Sequence, residues 1–209
     1  VGEVAFNLHH LPEDVTGAVG DGAAFGLRVR YSVEPELLGS AGALNGFPGF
    51  FDERFFVVYG DVYHRVDPAV LAAFHEARSA VLTIAATTAD DPSTKGVLEC
   101  DESGRVRTFV EKPPDAPPGA LVNAGVYACE PRVAALVPPG VSDFGADLIP
   151  SMIAAGEPVY ALFTSALVQD IGTPEGLARA RALASDPGSA ESNNTARDES
   201  GNAAQADPF

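Results

Sequence analysis

No stretch of the 209-residue chain approaches the roughly 18 consecutive apolar residues needed to span a bilayer. It does not open on a basic region followed by an apolar stretch, so no signal peptide is expected and the chain reads as soluble and cytoplasmic. Cysteine is scarce: Cys100 and Cys129 are too few for a disulfide framework, and their spacing fits no zinc pattern. They read as two semi-buried thiols. Positive charge is short as well, with 13 Lys and Arg against 29 Asp and Glu and a net charge of −16. That excludes nucleic acid and anionic membrane as partners, because both need basic patches. It does not exclude a phosphorylated metabolite, which backbone N–H groups, one Lys or Arg, or a metal ion can hold locally. The chain begins at Val1 and its only methionine is Met152, so a fragment of a longer protein is expected. No internal repeat is present.

What is there is apolar enough, at 46%, for one domain with a substantial core. Val1–Leu8 reads as a strand. His9–Phe25 reads as a helix with Pro12 in its first turn, where proline is tolerated. Leu27–Tyr31 is a further strand, and Glu34–Gly46 a Gly-containing loop leading into a short helix. Phe55–Tyr59 is an apolar run closed by Gly60 and Asp61, which suits a strand buried on both faces. Pro68–Arg78 is a helix with Asp67 as N-cap, and Val81–Ala86 another buried strand. Gly96–Cys100 and Val106–Val110 flank an Asp-Glu-Ser-Gly turn and form a hairpin. Leu121–Ala128 is a strand, Phe144–Ala155 a helix, Val159–Phe163 a strand, and Pro174–Leu183 a final helix capped by Thr173. Alternating strands and helices imply a three-layer α/β fold around a mostly parallel sheet. The expected division is a folded domain over 1–184 and a disordered polar tail over 185–209, where large apolar residues nearly vanish.

Five segments can carry chemistry. Asp61 directly follows a strand, where open α/β sheets bind ligands and where a carboxylate can hold Mg²⁺. The same Gly-Asp pair also makes a plain turn. Asp170 precedes a helix start that Thr173, Pro174 and Glu175 already explain. If its strand neighbours that of Asp61, the two carboxylates face one site, and a divalent ion relieves their repulsion. Otherwise Asp170 is a capping or solvated acid. Glu111-Lys112-Pro113 follows a strand, and Lys112 is one of only two lysines, the other being Lys95. Its compact ammonium suits a phosphate, with Pro113 biasing its backbone towards an extended form. An exposed salt bridge of small worth is the alternative. Leu38-Gly39-Ser40-Ala41-Gly42 allows close approach to a flat ligand, with Ser40 bonding a base edge, or else starts a helix capped by Ser40. Asn123-Ala124-Gly125 supplies an amide for sugar hydroxyls. Asp143-Phe144-Gly145 is not a kinase signature, as nothing else of a kinase is present.

The order of these pieces, with Phe6–Glu13 ahead of them, resembles the sugar-1-phosphate nucleotidylyltransferase (NDP-sugar pyrophosphorylase) family over about Val1–Leu183. The likeness is greatest to mannose-1-phosphate guanylyltransferase-like proteins. The resemblance implies a Rossmann-like (GT-A-like) mixed sheet. It implies transfer of a nucleotidyl group from an NTP to a sugar 1-phosphate, with pyrophosphate released. By the same likeness Asp61 and Asp170 bind Mg²⁺ and Lys112 holds the sugar phosphate. Glu111 and Asn123 contact sugar hydroxyls, with Gly60 and Gly125 beside them, and the loop Leu38–Gly42 reads the base. Members open with a strand and a Gly-rich loop that cradles the NTP phosphates. Nothing here matches that segment, and Val1 falls at the family's second strand, so the chain by itself is expected to be inactive and poorly stable. The alternative is a non-catalytic relative that binds an NDP-sugar. A homo-oligomer fits either reading, and neither base nor sugar is fixed by these residues.

Overall fold

A computed structural model describes residues 1–185; the expected polar tail lies outside the described residues. Among the described residues, ten strands and six α-helices follow one another. Strands β1 (Glu3–Leu8) and β2 (Arg28–Val33) pair in parallel, with Phe6 stacked on Tyr31. Between them, the expected helix over His9–Phe25 is shorter. Helix α1 (Pro12–Val19) stops at Gly20, and a single 3₁₀ turn forms at Ala23–Phe25. Gly20 and Gly22 both take positive φ, a backbone state that ends a helix. The loop after β2 leads, as expected, into a short helix, α2 (Gly39–Gly42).

The central sheet has six strands: β3 (Phe55–Val58), β5 (Leu82–Thr88), β6 (Gly96–Cys100), β7 (Val106–Glu111), β8 (Leu121–Cys129) and β9 (Val159–Phe163). Strands β3, β5, β6 and β9 run one way, while β7 and β8 run the other. The sheet is therefore mixed, and β5–β9 is its parallel ladder. Strand β3 pairs with β8 antiparallel, and only Phe55 of its four residues is buried. The expected cover on both faces is partial: Phe55 and Val57 pack into one apolar cluster and Phe56 into another, while Val58 at the end of the strand is exposed. Two further strands, β4 (Val62–His64) and β10 (Val168–Asp170), form a separate antiparallel ribbon.

Strand periodicity divides the core in two. From β5, Leu82, Ile84 and Ala86 point into one apolar cluster; from β8, Tyr127 and Cys129 join it. That face is covered by α4 (Pro131–Leu136), a π turn at Phe144–Leu148 and α5 (Ile149–Ala154). Ala85, Ala124, Val126 and Ala128 face the other way, against Leu71 of α3 (Pro68–Ala77). These are the three expected layers. Asp67 caps α3 through its carboxylate, which accepts from Ala69 N at 2.8 Å. Thr173 caps α6 (Pro174–Ser185) by accepting from Gly176 N. Helix α4 was not anticipated. The expected helix over Phe144–Ala155 opens instead as a π turn, with Asp143 O accepting from both Asp147 N and Leu148 N. Pro150 has no N–H to donate back into this turn, so a regular ladder cannot run through it.

Candidate functional site

The carboxyl ends of β3 and β10, the hairpin β6–β7 and the start of β8 converge on one cleft of about 380 Å³. Asp61, Glu111, Lys112, Asn123, Gly125, Asp170 and Ser40 all line it. Leu38, Gly39, Gly42 and Gly60 are not among its lining residues; each lies within two residues of Ser40 or beside Asp61.

The two aspartates meet, though not because their strands are sheet neighbours. The antiparallel ribbon of β4 and β10 pairs Asp170 with Val62, and Ile171 N donates to Asp61 O at 2.7 Å. The side chains flank Gly172. A Cβ there would lie 3.2 Å from Asp170 Oδ1 and 3.9 Å from Asp61 Cβ. Asp170 Oδ1 also accepts from Gly172 N, which leaves its second oxygen for a ligand. The two carboxylates fit a hard cation that takes its remaining donors from water and phosphate oxygens. No cluster of three or more His, Cys, Asp or Glu among the described residues could hold a metal without such help.

The Glu111 carboxylate nests between two glycines. A Cβ on Gly96 or on Gly145 would run into Glu111 Oε2. Lys112 sits 3.8 Å from Glu111 Oε1, and its side chain is 64% exposed. Its backbone is not extended, as Pro113 led one to expect: φ is +49°, in the left-handed region. The residue before a proline is disfavoured there too. Strain of this kind persists only where surrounding bonds enforce it. Here Lys112 N donates to Lys95 O at 3.1 Å.

Asn123 is committed to its own chain on two sides. Nδ2 donates to Tyr127 Oη at 2.5 Å, and Oδ1 accepts from Gly125 N. One amide proton remains for a ligand. The register of β8 against β5 slips at this point, and Gly125 has φ +72° with its Cα face against the Tyr59 ring. Tyr59 in turn packs on Tyr127, which stacks on Phe144. Burial pushes the Tyr59 phenol above its ordinary range, with Glu111 and Asp143 adding to the effect.

Ser40 does not cap a helix; Leu38 occupies that place without a side-chain bond. The Ser40 hydroxyl donates to Asp143 Oδ1 at 3.0 Å and accepts from Phe144 N and Tyr59 Oη. Its capacity is used within the protein, so it clamps the Leu38–Gly42 loop to the π turn. Gly39 and Gly42 are required for the same contact, since a Cβ at either would strike the backbone of Ser142 or Gly140. Base contacts from this loop would therefore have to come from its backbone.

Sequence reasoning gave no role to Tyr59, Val62, Thr94, Lys95, Gly96, Asp143, Gly145, Ala146 and Val168, which also line the cleft. Lys95 had a signal, being the only other lysine. Asp143-Phe144-Gly145, correctly dismissed as a kinase signature, lines this cleft for other reasons.

This cleft gathers paired acids and a lysine of left-handed backbone at one rim of a mixed α/β sheet, where such sheets bind ligands. A family model described as nucleotidyl transferase matches residues 4–186, and the chain belongs to that family. One relative, UTP–glucose-1-phosphate uridylyltransferase of Synechocystis sp., is 34% identical over 188 residues, covering 81% of this chain and 48% of the relative. Mannose-1-phosphate guanylyltransferase of Mycobacterium tuberculosis is 31% identical over 182 residues, covering 86% and 50% respectively. The chain thus spans about half the length of the curated relatives it matches. The fold is shared with HddC from Yersinia pseudotuberculosis complexed with GMP-PN, at TM-score 0.71 and 24% identity, covering 86% of this chain and 77% of that one. No helix among the described residues is long and apolar enough to cross a membrane.

Proposed function

We propose that this chain supplies most of the active site of a sugar-1-phosphate nucleotidyltransferase, which joins an NTP to a sugar 1-phosphate and releases pyrophosphate. The observation that carries the reading is the convergence of Asp61, Glu111, Lys112, Asn123 and Asp170, from separate parts of the chain, on one cleft. Their chemistry matches the two substrates. Lys112 offers a point charge to the phosphate of the sugar 1-phosphate. Glu111 accepts from sugar hydroxyls, held in place by the close walls at Gly96 and Gly145. The free amide proton of Asn123 donates to another. Backbone groups of the Leu38–Gly42 loop receive the base. Asp61 and Asp170 hold Mg²⁺, which when bound neutralises the triphosphate. No side chain need form a covalent bond: the protein aligns the attacking phosphate oxygen with the α-phosphate and stabilises the charge that develops.

The relatives support this reading through their names, a uridylyltransferase and a guanylyltransferase of sugar 1-phosphates. The strong negative charge fits a cytoplasmic setting with small-molecule substrates. A folded domain over 1–184 that assembles as a homo-oligomer is part of the same proposal. In the full-length protein, pyrophosphate release should be followed with a panel of NTPs and sugar phosphates. Asp61→Asn and Asp170→Asn should each abolish it. Activity within about threefold of the parent would count against the metal assignment.

A further inference from the structure

Lys95 takes no part in the proposed chemistry. It is half-buried, lines the cleft beside Gly96, and is one of two lysines in a chain of net charge −16. Despite that excess of acid, no carboxylate among the described residues pairs with it. Lys95 thus brings a positive charge without a protein partner to the cleft, where a ligand can supply the counter-ion.

The hairpin fixes its neighbour. Gly96 pairs with Glu111 across β6 and β7, and the next step out sets Lys95 opposite Lys112. Lys112 N donates to Lys95 O there, closing the pair. Like charges set directly across two strands repel. Both lysines line one cleft, and while Lys112 has Glu111 3.8 Å away, Lys95 has no acid of its own among the described residues. A single acid would answer one of them. A phosphate monoester, close to a dianion at neutral pH with a second pKa near 6, would answer both.

From this pairing we infer that Lys95 and Lys112 form a two-cation cradle for a phosphate monoester, with Lys95 the unassigned half. The inference rests on the proposed activity for the identity of the monoester, the sugar 1-phosphate, but not for the cradle itself. The β6–β7 pairing ties Lys95 to Glu111 and Lys112, the residues that the proposed activity assigns to the sugar phosphate. Its loss should therefore weaken sugar-phosphate binding and leave the NTP unaffected.

The test is calorimetric titration of the full-length protein with α-mannose 1-phosphate, α-glucose 1-phosphate and inorganic phosphate, alongside steady-state kinetics. Circular dichroism checks that each variant is folded. Lys95→Gln should weaken binding of whichever of these anions the parent takes by about tenfold, while Lys95→Arg stays within about threefold of the parent, as expected for loss and retention of a charge-assisted bond. In turnover, KM for the sugar phosphate should rise in Lys95→Gln with KM for the NTP unchanged. The parent's KM should also climb as pH falls below about 6, where the monoester loses its second charge, and this climb should flatten in Lys95→Gln. Equal anion affinity in parent and Lys95→Gln would overturn the cradle, as would a rise in the NTP's KM alone or a parent that binds none of the three anions. A parent that binds these anions but never releases pyrophosphate would sink the proposed activity while leaving the cradle standing.

Discussion

At the scale of single residues, the site depends on positions where a side chain would be in the way. Gly125 is the sharpest case. Its φ of +72° suits glycine, and a Cβ would meet the Tyr59 ring at 3.2 Å. Gly125→Ala should cost about 1–3 kcal/mol, readable as a lower urea midpoint, through backbone strain plus displacement of the ring. An unchanged midpoint would mean the bulge relaxes freely. Glu111 and Lys112 were legible in the sequence because a rare lysine followed a strand and preceded a proline. The backbone of Lys112 was not, since local preference argued for an extended form and the bond to Lys95 O overrides it. The Ser40 hydroxyl was read as bonding a base edge or capping a helix because its actual partners, Asp143 and Phe144, lie more than 100 residues away in the chain. The two cysteines behave as their scarcity suggested: burial pushes the Cys100 thiol up to about 11 and Cys129 higher still, so neither is a ready nucleophile.

At the scale of elements, strands of continuous apolar residues and capped helices could be read directly, while the pairing between them could not. Asp67 at the head of α3 is an example of what local chemistry fixes. Asp67→Ala should cost about 1 kcal/mol and lower Tm by a few degrees. The ribbon of β4 and β10 was invisible, because three-residue strands carry too little pattern to mark themselves. Yet this ribbon, and not adjacency in the main sheet, brings the two aspartates together. Helix α3 also carries His75, fully buried, whose ring meets Thr83 Oγ1 of β5 at 2.7 Å and Glu130 Oε1 at 3.1 Å. Burial holds His75 below the ordinary imidazole range, although its bond to Glu130 works the other way. His64 is lowered by burial as well. Above about pH 6.5 the imidazoles are neutral in both the folded and unfolded chain; as pH falls below that, the unfolded chain takes the proton first. Stability should therefore drop from pH 7.5 to 5.5 in urea unfolding. A value at pH 5.5 equal to or above that at 7.5 would contradict the buried, neutral assignment.

At the scale of the whole molecule, family and layer architecture were readable because six weak segments kept their order over most of the chain. A mixed sheet was implied by the resemblance, but which strands run against the others required coordinates. The cleft gathers Asp61, Glu111, Asp143 and Asp170 against two lysines in an already acidic protein. Such a concentration of acid is tolerable where cations and anions bind together, and a ligand that does so should stabilise the fold by mass action. In the proposed function Asp61 and Asp170 act as one group. The most direct test is pyrophosphate release by the full-length parent, by Asp61→Asn, by Asp170→Asn and by the variant carrying both. If the two acids share one cation, each single change should lower turnover by about a hundredfold or more, and the double variant should be little worse than either single one. Losses that multiply in the double variant, or a single variant that keeps most of the parent's rate, would contradict it.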